Sequence, residues 1–171
     1  KTPQAFIHQG AVFFICDYHP GAQTLSQCFL EKPGGLLSEV LLWSIVCQLL
    51  GALRAAHAAG GALQNVHPNR VIITLGNRVR LNWVGCLDVL EFETRKQVSE
   101  LQQQDMRDLG LLMLSLACRA RVTAAATAES AAFLSQHYSP EYHNLAVSLV
   151  AKAPNVFEVR PIQSRRASKK L

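Results

Sequence analysis

The sequence predicts an α+β fold that is mainly helical. Three observations carry that expectation. Short β-type runs sit in pairs about turn dipeptides, residues 5–8 with 11–18 around Gln9-Gly10, and residues 71–74 with 79–83 around Gly76-Asn77. Between the pairs, the stretch from Ser38 to about His57 is apolar around most of its circumference, as in a helix buried on several sides. After the second pair, leucine- and alanine-rich stretches with helix start and stop signals run to about Lys152.

In chain order, the first pair reads as a hairpin from its aromatic and β-branched content. Asp17, Tyr18, His19, Pro20, Gly21, Ala22, Gln23 and Thr24 follow it, with Pro20 and Gly21 setting a turn. Residues 24–31 are expected to form a short helix, stopped by Lys32-Pro33-Gly34-Gly35. The long helix opens with Ser38 as N-cap and Glu39 in the first turn, where a carboxylate meets the positive end of the helix dipole. It closes at Gly60-Gly61. The stretch from Gly85 to Asp105 is short and polar towards its end, over residues 91–104. Helices are then expected over residues 109–119, over 124–136 from alanine content, and from Ser139 as N-cap with Pro140 at the first helical position to about Lys152. Past Pro154 the pattern dissolves, and a basic, disordered tail is expected to hold Arg160, Arg165, Arg166, Lys169 and Lys170. Within that tail Arg165-Arg166-Ala167-Ser168 resembles a phosphorylation motif.

The 171 residues suffice for one domain with a substantial core. At 49% hydrophobic and 17% charged, the chain is more apolar than the average domain, so either the core is large or part of the surface meets a partner. The net charge of +5 is concentrated in the last residues, which leaves the body close to neutral. The five cysteines have no C-x-x-C pair and sit in apolar runs, as reduced core residues do. No histidine spacing suits a metal. No signal-peptide pattern opens the chain, and the apolar stretch 40–53 is broken by Ser44, Gln48 and Gly51 and falls short of a membrane span. A soluble, intracellular protein without a membrane partner is the expectation.

Residues 53–73 read L-R-A-A-H-A-A-G-G-A-L-Q-N-V-H-P-N-R-V-I-I, and residues 78–85 read R-V-R-L-N-W-V-G. Without a gap, this resembles the protein-kinase pattern L-x-x-x-H-x-x-G-I-x-H-R-D-L-K-P-x-N-I-L-L followed by D-F-G. His57, Gly60, Pro68, Val71, Ile72, Ile73 and Gly85 fit the scaffold. Asp105-Met106-Arg107-Asp108-Leu109-Gly110 resembles the kinase D-x-W-S-x-G, whose aspartate accepts hydrogen bonds from the catalytic loop. The chemistry is not kept. A kinase places a base, a phosphate-contacting lysine and two metal ligands where this chain has Asn65, His67, Arg70 and Trp83. An amide is no carboxylate base, a guanidinium repels a cation, and an indole offers only a donor. No hard anionic oxygen is left for Mg²⁺. The A-P-E tripeptide of a peptide-substrate platform is missing as well. The expectation is a kinase-like fold without kinase activity, made of the large (C-terminal) lobe with the last two strands and hinge of the small lobe. Residues 1–24 would be the end of the small lobe and the hinge, 25–153 the large lobe, and 154–171 the tail.

The way these motifs depart from an active kinase resembles the regulatory pseudokinase subunits of the poly(A)-nuclease (PAN) deadenylation complex. The segments that carry this are D-Y-H-P-G-A-Q-T-L at 17–25, L-W-S-I-V-C-Q-L-L-G-A-L-R-A-A-H-A-A-G at 42–60, R-V-R-L-N-W-V-G-C-L-D-V-L at 78–90, Q-Q-Q-D-M-R-D-L-G at 102–110 and L-A-C at 116–118. The resemblance implies a non-catalytic scaffold subunit that brings a separate nuclease to mRNA poly(A) tails in the cytoplasm and in P-bodies. It further implies a homodimer formed through a coiled coil, indirect links to poly(A) RNA and poly(A)-binding protein, and ATP bound without hydrolysis or metal. By position, nucleotide contacts would fall on Asp17, Tyr18, His19, Pro20, Gly21, Ala22, Gln23 and Thr24 of the hinge and on Asn69 and Arg70. Most of the small lobe and the family's C-terminal elements have no counterpart, which suggests a fragment of such a protein. Two other classes compete: a divergent nucleotide-dependent enzyme, opposed by Asn65, Arg70 and Trp83, and a basic RNA-binding module, which would need exposed aromatics interleaved with its cations.

Overall fold

The computed structural model describes residues 4–91, 93 and 96–159. Strands β1 (Gln4–His8) and β2 (Ala11–Ile15) form an antiparallel hairpin, closed by Gln9 and Gly10 with φ of 49° and 76°. Positive φ at both turn positions is the two-residue geometry that matches the twist of paired strands. Phe6 and Phe13 stack across the pair with centroids 5.1 Å apart, yet both are half-exposed. A second sheet has the order β3 (Gln23–Thr24), β4 (Val71–Thr74), β5 (Arg78–Leu81), all antiparallel. Its hairpin turns at Gly76 and Asn77, again with positive φ. Because β3 pairs with β4, Gln23 and Thr24 share a sheet with the body of the chain rather than with the first hairpin.

The body is a helical bundle. Helix α1 (Glu39–Ala58) begins where Ser38 Oγ accepts a hydrogen bond from Leu41 N, and ends with Gly60 in a left-handed turn, its N–H bonded to His57 O. By length and apolar composition α1 could span a bilayer, a longer stretch than the broken run 40–53 suggested. Here Leu42, Ile45, Val46, Leu49, Leu50 and Leu53 lie in the core instead. Helix α2 (Cys86–Leu90) follows Gly85, and α3 (Val98–Cys118) crosses the bundle against α1, α4 (Thr127–His137) and α5 (Pro140–Lys152). Ser139 caps α5 as its sequence indicates, accepting from Tyr142 N. Its hydroxyl and backbone N–H also donate to Glu39, which ties the start of α5 to the start of α1.

The short helix expected over 24–31 is present as a π-helical turn, Ser26–Leu30, with Glu31 N bonded to Ser26 O. Two expectations are corrected. The helix expected over 109–119 starts eleven residues earlier, at Val98, because its first turns expose Ser99, Glu100, Gln103 and Gln104 and show little apolar period. The packed body also continues past Pro154. Val156 and Val159 are buried, and the Arg54 guanidinium donates to both of their carbonyls at 3.4 and 3.1 Å. Disorder from residue 154 is therefore wrong for 154–159, while the remaining tail and its Ser168 motif lie outside the described residues.

Candidate functional site

Helices α1 and α3 hold the loop between α1 and β4 at one point, the Asp105 carboxylate. Asp105 is fully buried in mid-helix. Its oxygens accept from Leu63 N at 2.7 Å and from Gln64 N at 2.6 Å, and its Oδ2 lies 3.0 Å from Nε2 of the buried His57. Charge-assisted bonds of this length fix the backbone where the loop turns, with Gln64 at φ 55°. This is the structural role that the D-x-W-S-x-G likeness implied.

Downstream of this anchor the side chains at the kinase chemical positions bond to one another. Asn65 is buried, donates from Nδ2 to Trp83 O at 2.6 Å, and receives Arg70 NH1 on Oδ1 at 3.4 Å. The Arg70 guanidinium lies over the Trp83 ring, 5.7 Å from its centroid, in cation–π range. Trp83 itself takes a left-handed φ of 64°, with its N–H bonded to Asn82 Oδ1. Amide, guanidinium and the Trp83 backbone and ring thus form one contiguous set of contacts, and a cation stands where a metal would need anionic oxygen. Among the described residues no cluster of His, Cys, Asp or Glu could hold a metal ion. His67 is exposed and accepts from Asn69 N on Nδ1. Although the residue as a whole is exposed, partial desolvation of its ring, followed by the nearby guanidiniums of Arg121 and Arg70, holds its imidazole below the ordinary value.

A cleft of about 340 Å³ opens between the end of β2 and the β4–β5 hairpin. Ile15, Cys16, Asp17 and His19 line one side; Ile72, Arg80, Leu81, Asn82, Trp83 and Val84 line the other. Apolar side chains share its lining with the polar and charged Asp17, His19, Arg80 and Asn82. Of the residues to which the resemblance assigned nucleotide contacts, Asp17 and His19 line the cleft. Tyr18 is 86% exposed, and Pro20 and Gly21 sit in a solvent-facing turn closed by Ala22 N to His19 O. Gln23 and Thr24 belong to β3. Asn69 and Arg70 do not line the cleft: Asn69 Oδ1 accepts from Arg121, and Arg70 reaches the cleft only through Trp83. Sequence reasoning did not place Ile72, Arg80 and Asn82 in the cleft. Alternation along the hairpin carries the signal, since Ile72 and Arg80 are directly paired.

No family model matches the chain. The PAN2-PAN3 deadenylation complex subunit pan3 of Dictyostelium discoideum is 37% identical over 160 residues, which is 90% of this chain and 21% of that protein. The structure of the Drosophila melanogaster PAN3 pseudokinase superposes with a TM-score of 0.81 at 31% identity, covering 91% of this chain and 44% of that one. A complex of Neurospora crassa PAN2 (WD40-CS1) with PAN3 (pseudokinase and C-term) matches with a TM-score of 0.79 at 29% identity, over 85% of this chain and 38% of that one. The chain spans about a fifth of the length of the curated relatives it matches. Over the part of those proteins that it spans, in sequence and in fold, the chain belongs to the PAN3 pseudokinase family.

Proposed function

We propose that this chain is the pseudokinase part of a regulatory subunit that acts without catalysis in shortening mRNA poly(A) tails. The observation that carries the reading is the closed arrangement of Asn65, Arg70 and Trp83, which occupies the kinase chemical positions with groups that serve the fold. A nuclease of the PAN2 type is the partner, in line with the PAN2 complex among the similar structures. Homodimerisation, a coiled coil, indirect association with poly(A) RNA and poly(A)-binding protein, and residence in the cytoplasm and P-bodies belong to the same reading.

ATP is the ligand of the cleft in this reading, bound and not hydrolysed. Bound there, it would supply a purine for the apolar walls and a phosphate chain for the cations. Ile72, Leu81 and Val84 would face the base, the backbone of residues 16–19 would offer its hydrogen bonds, and Arg70 would stand at the Trp83 end. Depleting the protein from its own cells and measuring bulk poly(A) tail length tests the function. Longer tails and slower shortening after a transcriptional block are expected; unchanged tail lengths and rates would refute the reading.

A further inference from the structure

Arg80 stands on β5 opposite Ile72 of β4, and both line the cleft. Directly paired residues of an antiparallel hairpin project to the same face, so this register puts Arg80 on the cleft side with Ile72, while its neighbour Val79 packs on the core. Among the described residues the Arg80 side chain makes no hydrogen bond and no ion pair; the ion pair found there joins His57 to Asp105. Arg70 is different, since Asn65 and the Trp83 ring already engage its guanidinium. Asp17 is the acidic residue of the lining, and it is not within ion-pair distance of Arg80. The cleft therefore holds an uncommitted guanidinium beside its apolar floor.

We propose that Arg80 is a ligand-binding residue of this cleft and takes a phosphate group of a nucleoside polyphosphate directly, without a bridging metal. The proposal rests on the reading of the cleft as a nucleotide site and adds to it the residue that supplies charge. A guanidinium presents paired donors that match two phosphate oxygens, and it needs no counter-ion between itself and the anion. A magnesium-bound phosphate chain would bring a cation towards Arg80 and Arg70, so metal-free nucleotide is the preferred form.

The test measures binding of ATP, adenosine and inorganic tripolyphosphate by calorimetry in excess chelator. The proteins are the unaltered chain, Arg80→Ala, Arg80→Lys and, as a neighbouring control outside the cleft, Arg78→Ala. Loss of Arg80 is expected to weaken ATP about fivefold in this solvent-open setting and to leave adenosine unchanged. Arg80→Lys should recover part of the loss, and Arg78→Ala should stay within about twofold. If ATP binds equally to the unaltered chain and to Arg80→Ala, the role of Arg80 falls while the nucleotide reading stands. If neither ATP nor adenosine binds, the nucleotide reading fails; Arg80-dependent tripolyphosphate binding would then still uphold the anion site, and its absence would overturn it.

Discussion

At residue 65 an amide does work that a carboxylate could not. Asn65 uses its N–H₂ to hold Trp83 O and its oxygen to receive Arg70, a combination of donor and acceptor that an ionised aspartate lacks. Asp105 is the opposite case, a position that asks for an acceptor at both oxygens, because a backbone N–H group points at each. Asp105→Asn would turn an N–H₂ towards one of those donors inside the core. We expect a loss of about 2 to 4 kcal/mol in urea-unfolding stability, the usual cost of a broken charge-assisted bond with a buried group left unpaired. A loss under about 0.5 kcal/mol would mean that the loop is held elsewhere. The Asp105 contact was legible in the sequence because a six-residue pattern surrounds it, whereas the Arg70–Trp83 stack was not, since it joins residues thirteen positions apart across a hairpin.

Among the elements, α3 and α5 approach each other closely at Gly110. A Cβ there would lie 2.7 Å from Val150 Cγ2, 2.9 Å from Leu149 Cβ and 3.0 Å from Val150 N. Backbone cannot step aside as a side chain tip can, so Gly110→Ala must push the helices apart. Overpacking costs about 1 to 3 kcal/mol, against a helix-propensity gain of about 1 kcal/mol for replacing glycine. The net expectation is a lower melting temperature; an unchanged or higher one would show that the α3–α5 seam yields. Element boundaries were legible where a local signal marks them, as at Ser38, Gly60, Gly76-Asn77 and Ser139-Pro140. They were hidden where tertiary contacts alone decide. The first turns of α3 are polar because that stretch is mostly solvent-facing, and its Gln102 side chain donates to Gly61 O across 41 positions. Likewise only two valines and the reach of Arg54 keep residues 154–159 on the body.

On the scale of the whole molecule, the high apolar content has two destinations. Most of it fills one core shared by α1, α3, α4 and α5, and part lies on the first hairpin, where Phe6, Ile7, Phe13 and Ile15 are between 45% and 76% exposed. The kinase-like arrangement survives because its scaffold bonds, above all those to Asp105, are independent of the chemistry lost at Asn65, Arg70 and Trp83. What remains beside that scaffold is a cleft lined by Ile72, Arg80 and Trp83 among others, and at the kinase chemical positions an amide, a guanidinium and an indole in place of a base and two metal ligands. The most direct measurement is transfer of label from γ-labelled ATP, with Mg²⁺ or Mn²⁺, to the chain itself and to generic protein substrates. The expected result is no incorporation above that of a no-protein blank. Incorporation that copurifies with the chain and disappears in an Asn65→Ala variant would contradict the reading of residues 65, 70 and 83 as non-catalytic.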